Sequence, residues 1–376
     1  MARAYAFGAS EFEKDDEVKK EIQRLNKLVY EEVTSPSTSS GQSDLQSLWE
    51  EGRKVSLDAF EKIYARIGVK YDKYYFESET AKRGREIVLA NIENGIFEKD
   101  DGAVVFRGEK EGLHTRVFLT SEDYATYEAK DLALAVMKDE DLHYDKSVIL
   151  TGNEQAEYFQ VMLAALRKIE PSLAEKTKHF TFGHVRLKEG KMSSRTGEVV
   201  TSEWLLNEAV DRIGKAFPEM DNNTSEKVGV GAVKYSMLKF GISSDIHFDF
   251  NESISLEGNS GPYIQYAYVR TQSVLDRIKN KELSIKNENK LEKEELELLR
   301  HLSYYPYYVE KAGVDFAPNL VCNYLFELSQ KFNLFYQKHK IIGSEQEMFR
   351  LHLVQATGQV LKNGLNLLGI KTVERM

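Results

Sequence analysis

Lys146-Ser147-Val148-Ile149-Leu150 is the stretch that most constrains the fold. It is a short apolar run, too short for a helix, of the kind a buried parallel strand requires. An amphipathic helix from Gln155 to about Lys168 follows it. Before it, Ala103–Phe106 and Arg116–Leu119 read as strands, and Thr126 is placed to cap a helix running to about Asp139. Strand, helix, strand, helix is the second half of a doubly wound sheet, in which ligands sit beyond the carboxyl ends of the strands. After about Ala216 the periodicity turns helical and stays so to Leu368, broken at Gly261-Pro262 and by polar residues near Lys279–Lys290. The expected fold class is therefore α/β plus all-α, a Rossmann-type half followed by a helix bundle.

The first hundred residues are mostly helical in pattern. Val18, Ile22, Leu25 and Val29 recur at helical spacing, and Leu48–Ile67 and Lys82–Glu93 read as further helices. Tyr71–Phe76 reads as a strand. Thr34–Ser43 is low-complexity and reads as a surface loop without function. The expected division is 1–102, a helical insertion; 103–175, the second half of the Rossmann-type fold; 176–215, a loop-bearing segment; and 216–376, the helical domain.

Composition narrows the function. The chain has 376 residues, 41% apolar and 30% charged, enough for two or three domains with real cores. No apolar run approaches a membrane span and the N-terminus shows no secretory signal, which fits a cytoplasmic protein. Cys322 is the single cysteine, set in an apolar helical pattern, so an internal disulfide and a thiolate-rich zinc site are excluded. The eight histidines form no metal-binding spacing, and no metal residue is assigned. A net charge of −9 argues against general nucleic-acid binding. From Leu320 to Met376, however, seven Lys/Arg stand against four Asp/Glu, a net of +3, so the tail can hold RNA locally.

The chemistry concentrates in Lys191-Met192-Ser193-Ser194-Arg195, which follows Phe182-Gly183-His184-Val185-Arg186-Leu187-Lys188-Glu189-Gly190. Lys191 supplies a point charge, Arg195 a planar fork of donors, and Ser193 and Ser194 hydroxyl donors. Such a loop suits the charge that develops on a triphosphate as pyrophosphate leaves. Tyr127 and Asp131 are four apart in a helical segment and share a face. A carboxylate there can pair with a guanidinium while a phenol orients the rest of the ligand. Gln155 follows Gly152-Asn153-Glu154 at a strand-to-helix junction, where Glu154 is expected to satisfy backbone donors of the helix. Phe332, Phe335 and Tyr336 are aromatic at helical spacing, a pattern that fits core packing as well as base stacking. Tyr304, Tyr305, Tyr307 and Tyr308 read as packing.

These motifs together resemble the arginyl-tRNA synthetases of class I. The Lys-Met-Ser-Ser-Arg loop is similar to that family's KMSKS loop. Tyr127-Glu128-Ala129-Lys130-Asp131 resembles its arginine-pocket helix, and Gly152–Gln155 its Gly-x-Glu-Gln turn. Gly258–Ala267 and the closing Val373-Glu374-Arg375-Met376 resemble its anticodon-binding domain. The resemblance implies arginine–tRNA ligation through an arginyl-adenylate, with ATP, Mg²⁺, L-arginine and tRNA(Arg). It implies catalytic roles for Lys191, Ser193, Ser194 and Arg195, and arginine binding by Tyr127, Asp131 and Gln155. It implies ATP contacts at Gly183, His184, Val185, Lys191 and Met192, with His184 placed to stack on adenine. It implies tRNA contacts at Tyr266, Arg270, Phe332, Tyr336 and Met376, and a monomer when full length. Asp123 stands where the family usually has glycine in a turn, a position aspartate tolerates. No His-x-Gly-His occurs, so the expectation is a chain lacking the first catalytic half and inactive alone. A non-catalytic tRNA-binding paralogue and one subunit of a split synthetase are the alternatives.

Overall fold

The computed structural model describes residues 2–29, 44–188, 201–278 and 291–376. Two compact units divide the chain. The first holds residues 1–62 and 70–182, the second residues 63–69 and 183–376. The segment expected at 176–215 thus falls on both sides of this division.

In the first unit, α1 (Ala2–Lys14) and α2 (Asp16–Val29) form in place of one long helix, broken at Asp15, whose carboxylate accepts from the Glu17 and Val18 amides. α3 (Asp44–Ile67) matches the predicted helix, and its last turn belongs to the second unit. Tyr71–Phe76 is not a strand. It has no strand partner, and its rings meet one another and a cation: Tyr74 lies 6.5 Å from Phe76, whose ring lies under the Arg53 guanidinium at 4.6 Å. α4 (Glu77–Ala90) starts five residues before the expected Lys82, where the Glu79 carboxylate accepts from the Phe76 amide and satisfies one of the donors at the helix start.

β1 (Glu98–Asp100), β2 (Ala103–Phe106) and β3 (Arg116–Leu119) make an antiparallel sheet in the order β1-β2-β3. Asp101 and Gly102, both at positive φ, turn the first hairpin. This corrects only the place of the strand at 116–119, which was expected in the parallel sheet. The parallel pair is instead β4 (Ser147–Gly152) with β5 (Thr177–Phe182), in register from Ser147↔Thr177 to Gly152↔Phe182. α5 (Tyr127–Leu142), α6 (Ala156–Ile169) and α7 (Pro171–Lys176) complete this unit. Its core is the Phe97, Phe106 and Phe118 cluster with Leu119, Leu132, Met162 and Leu166, all essentially without solvent exposure. Gly84 lets α4 approach α5 closely: a Cβ there would stand 2.4 Å from the Ala129 carbonyl oxygen.

The second unit opens with β6 (Val185–Leu187), then α8 (Ser202–Ala216) and α9 (Asn222–Leu238). β7 (Ile246–Phe248) pairs in parallel with β6, so the region beyond Ala216 is not wholly helical. Three residues flanked by acidic side chains carry too short an alternation to be read as a strand. α10 (Phe250–Ser253) and α11 (Gly261–Asp276) follow. Gly261-Pro262 does not break a helix but opens one: Ser260 caps it by accepting from the Tyr263 amide, and proline stands in its first turn. α12 (Lys293–Ser303), α13 (Tyr305–Asp315), α14 (Pro318–Lys338) and α15 (Glu347–Leu367) build the bundle around Leu298, Tyr324, Leu325, Leu328, Leu351, Leu361 and Leu365. Cys322 is fully buried there, as expected. Of the four tyrosines expected to pack, Tyr305 and Tyr308 do, whereas Tyr304 and Tyr307 are exposed.

Candidate functional site

The pocket helix α5 is anchored before it begins. Asp123 adopts φ 67°, its amide donating to the Thr120 carbonyl and the Thr120 amide to Tyr124. The turn glycine is thus replaced by a residue that tolerates the left-handed region. The Arg85 guanidinium of α4 grips the Asp123 carboxylate, with Nε at 2.8 Å. Thr126 occupies the cap position, yet its hydroxyl caps nothing. It donates to the Val117 carbonyl at 2.8 Å and so fastens α5 to β3.

Tyr127, the first residue of α5, leaves its ring largely exposed. Asp131, one turn on, is half-buried. Its carboxylate makes no hydrogen bond and no ion pair among the described residues. Burial, followed by the charges of Glu77 and Glu128, pushes its pKa up to about 6. Lys130 and Lys138 pull in the opposite direction. The Lys138 ammonium donates to Ser147 at 2.7 Å, and burial holds its pKa below the usual lysine range. Neither Glu77 nor Lys138 was singled out from the sequence. Lys138 lies seven residues from Asp131 on one helix face, a spacing that could have flagged it, whereas Glu77 reaches the site only through the packing of α4.

Gln155 closes a turn of 3₁₀ helix after β4 and starts α6, with its side chain exposed. Of the two proposed pocket motifs, only this one follows a strand of the parallel pair; α5 follows an antiparallel strand. Glu154 does not cap the helix, since no side-chain cap bond forms there. Its carboxylate folds over Gly152 instead, 2.3 Å from where a Cβ would stand. Between the strands, Thr151 Oγ1 meets His179 Nε2 at 2.7 Å, and the His179 ring stacks on Phe159 at 4.1 Å.

In the second unit Gly183 is buried, and a Cβ on it would lie 2.3 Å from the Ser244 carbonyl carbon. The His184 amide donates to Asp245 Oδ1 at 2.8 Å, and its carbonyl accepts from Ile246. The His184 and Val185 side chains are exposed at the start of β6. Lys191, Met192, Ser193, Ser194 and Arg195 lie outside the described residues.

The helical domain brings three of the expected RNA contacts together. The Arg270 guanidinium lies over the Tyr266 ring at 4.5 Å and 5.6 Å from the Tyr336 ring. It donates to Asn333 Oδ1 at 2.8 Å and to the Tyr266 hydroxyl at 3.2 Å. Phe332 is a correction: its ring has no solvent exposure and packs in the bundle core, so no base can reach it. Met376 is set elsewhere, packed with the Ile213, Val228, Val269 and Val373 cluster.

An α/β unit and a helical domain in one chain are the architecture of a class I synthetase, and the family comparisons show that class. Residues 4–250 match the family described as tRNA synthetases class I (R), catalytic domain, and residues 264–376 match the DALR anticodon binding domain. The chain belongs to the arginyl branch of the class I tRNA synthetases. It is 32% identical to the arginine–tRNA ligase of Flavobacterium psychrophilum over 352 residues, covering 90% of this chain and 58% of that one. It is 33% identical to the arginine–tRNA ligase of Bacteroides thetaiotaomicron over 355 residues, covering 90% and 60%. In fold it matches Thermus thermophilus arginyl-tRNA synthetase with a TM-score of 0.80 at 24% identity, covering 100% of this chain and 69% of that one. The Plasmodium falciparum arginyl-tRNA synthetase gives 0.76 at 21% identity, covering 98% and 66%. The chain spans about three-fifths of the length of the two ligases it matches. No helix among the described residues is long and apolar enough to cross a membrane.

Proposed function

We propose that this chain carries the amino-acid and anticodon sites of an arginine–tRNA ligase. The observation that carries the reading is Asp131, a half-buried carboxylate without a hydrogen bond or ion pair among the described residues, one helical turn from an exposed phenol. Partial burial of an unpaired charge is costly, and an incoming guanidinium with its planar fork of donors relieves that cost. Gln155, exposed at the start of α6, adds an amide to the amino-acid site. In the reaction, the arginine carboxylate attacks the α-phosphate of ATP and pyrophosphate leaves. The terminal ribose hydroxyl of tRNA(Arg) then attacks the arginyl carbonyl and AMP leaves. Mg²⁺ would arrive with the triphosphate. Lys191, Ser193, Ser194 and Arg195 would act on that nucleotide, with Gly183, His184, Val185, Lys191 and Met192 as its contacts. Tyr266, Arg270 and Tyr336 form the surface for unstacked anticodon bases. The reading places the protein in the cytoplasm, as a monomer when full length. Calorimetry with L-arginine, citrulline and L-lysine tests it: binding of arginine alone is expected, and equal binding of the uncharged isostere citrulline would defeat it.

A further inference from the structure

Three carboxylates converge at the amino-acid pocket, and two of them have cations of their own. Glu77 of α4 holds Lys130 Nζ at 2.8 Å, and the Lys130 side chain is only 14% exposed. Glu128 lies 3.7 Å from Arg116 of β3. That leaves Asp131 without an ion pair among the described residues, although the Lys138 ammonium, hydrogen-bonded to Ser147, still acts on it through its charge. The same Lys130 ammonium stands 5.2 Å from the centre of the Tyr127 ring. One side chain therefore touches both neighbours of the empty carboxylate.

Building on the arginine-pocket reading above, we infer that Lys130 is a positioning residue of that pocket: by pairing with Glu77 and holding the Tyr127 ring, it offsets the Glu77 charge and leaves the Asp131 carboxylate for the incoming side chain. Without Lys130 the pocket would carry two bare carboxylates, and each would oppose ionisation of the other. With it, the Glu77 charge is offset. Among the other cations on elements packed against α5, Arg85 pairs with Asp123, Arg83 with Glu140, Lys176 with Asp139, and Lys168 of α6 with Glu111. Lys130 and Lys138 are the two cations whose charge acts on Asp131, and of these only Lys130 also pairs with Glu77.

The test follows the Asp131 carboxyl titration by carbon NMR in the ligand-free chain, and arginine binding against pH by calorimetry. Lys130→Met should raise both midpoints by about one pH unit, the effect of an uncompensated charge nearby. Glu77→Gln should lower them. The double variant should return them to the wild-type values, and Lys130→Arg should leave them unchanged. A role in packing alone would move no midpoint and would not be rescued by removing Glu77. A folded Lys130→Met chain with wild-type midpoints, or a double variant that fails to restore them, overturns the inference. If Lys130→Met does not fold, Glu77→Gln and Lys130→Arg still decide it. Midpoints that shift as expected in a chain that binds no arginine would overturn the positioning role through failure of the pocket reading, while leaving the charge pair in place.

Discussion

The Arg270 guanidinium lies over the ring of Tyr266, one turn back on α11, and is pinned there by Asn333 of α14. Asn333 in turn donates to the Tyr263 hydroxyl at 3.0 Å. A cation fixed above an aromatic face offers both a charge and a platform to a single-stranded loop.

Tyr336, on the rim of this cluster, separates a surface role from a core role when compared with Phe332. Tyr336→Ala should cost about 1–3 kcal/mol of tRNA binding, read by fluorescence anisotropy, with little change in melting temperature. Phe332→Ala should instead cost about 3–5 kcal/mol of stability, read by denaturant unfolding. Unchanged tRNA affinity in a folded Tyr336→Ala chain would remove Tyr336 from the interface.

Arginine binding should depend on Asp131 ionisation. With its carboxyl near pH 6 in the free chain, affinity at pH 5 should be about tenfold weaker than at pH 7. Asp131→Asn should abolish that dependence together with most of the affinity. A flat calorimetric profile from pH 5 to 7 in the wild type would contradict the assignment.

The same group carries a stability signature of opposite sign to most carboxylates. Its folded pKa lies above the ordinary 3.8, so folding disfavours the charged form. The penalty is absent below pH 4, grows as pH rises towards 6, and is complete above it. Asp131→Asn should therefore stabilise the ligand-free chain by about 1–3 kcal/mol at pH 7 and by nothing near pH 3. Urea unfolding at the two pH values checks this.

Glu295 and Arg350 form a buried pair, Nε to Oε1 at 2.7 Å, with Arg350 also donating to the Lys340 carbonyl. Arg350→Met should cost about 3–5 kcal/mol, because it strands a buried carboxylate. Arg350→Met with Glu295→Gln should recover part of that loss, and thermal denaturation distinguishes the two variants.

The Cys322 thiol is fully buried and pushed up to about 12 by desolvation. It should resist alkylation in the native chain and react only after unfolding. Mass spectrometry after iodoacetamide treatment with and without urea checks this, and rapid native labelling would show that the bundle opens around α14.

Much of this molecule was legible as local pattern. The long helices, the strand before Gly152 and the four-residue spacing of Tyr127 and Asp131 follow from periodicity and from turn chemistry. What was not legible depends on partners distant in sequence. The pairing of β3 with β2 and of β6 with β7 is set by tertiary packing, and short strands carry no mark of direction. Phe332 and Tyr336 are four apart on one helix, and no periodicity tells the rim from the core. The family resemblance, and not spacing alone, singled out Asp131; its lack of a hydrogen-bond or ion-pair partner among the described residues, and the Glu77–Lys130 pair beside it, emerge only once α4 lies against α5.

Lys234 donates from the middle of α9 to two carbonyls at once, Ile67 at the end of α3 and Gly369 beyond α15. Residues from the early part, the middle and nearly the last turn of the chain meet on one ammonium group. During synthesis the first of these leaves the ribosome some three hundred residues before the third. The end of α3 must therefore wait for Gly369 to emerge before its final partner exists. The second unit becomes complete only then, whereas most of the first can be packed well before that.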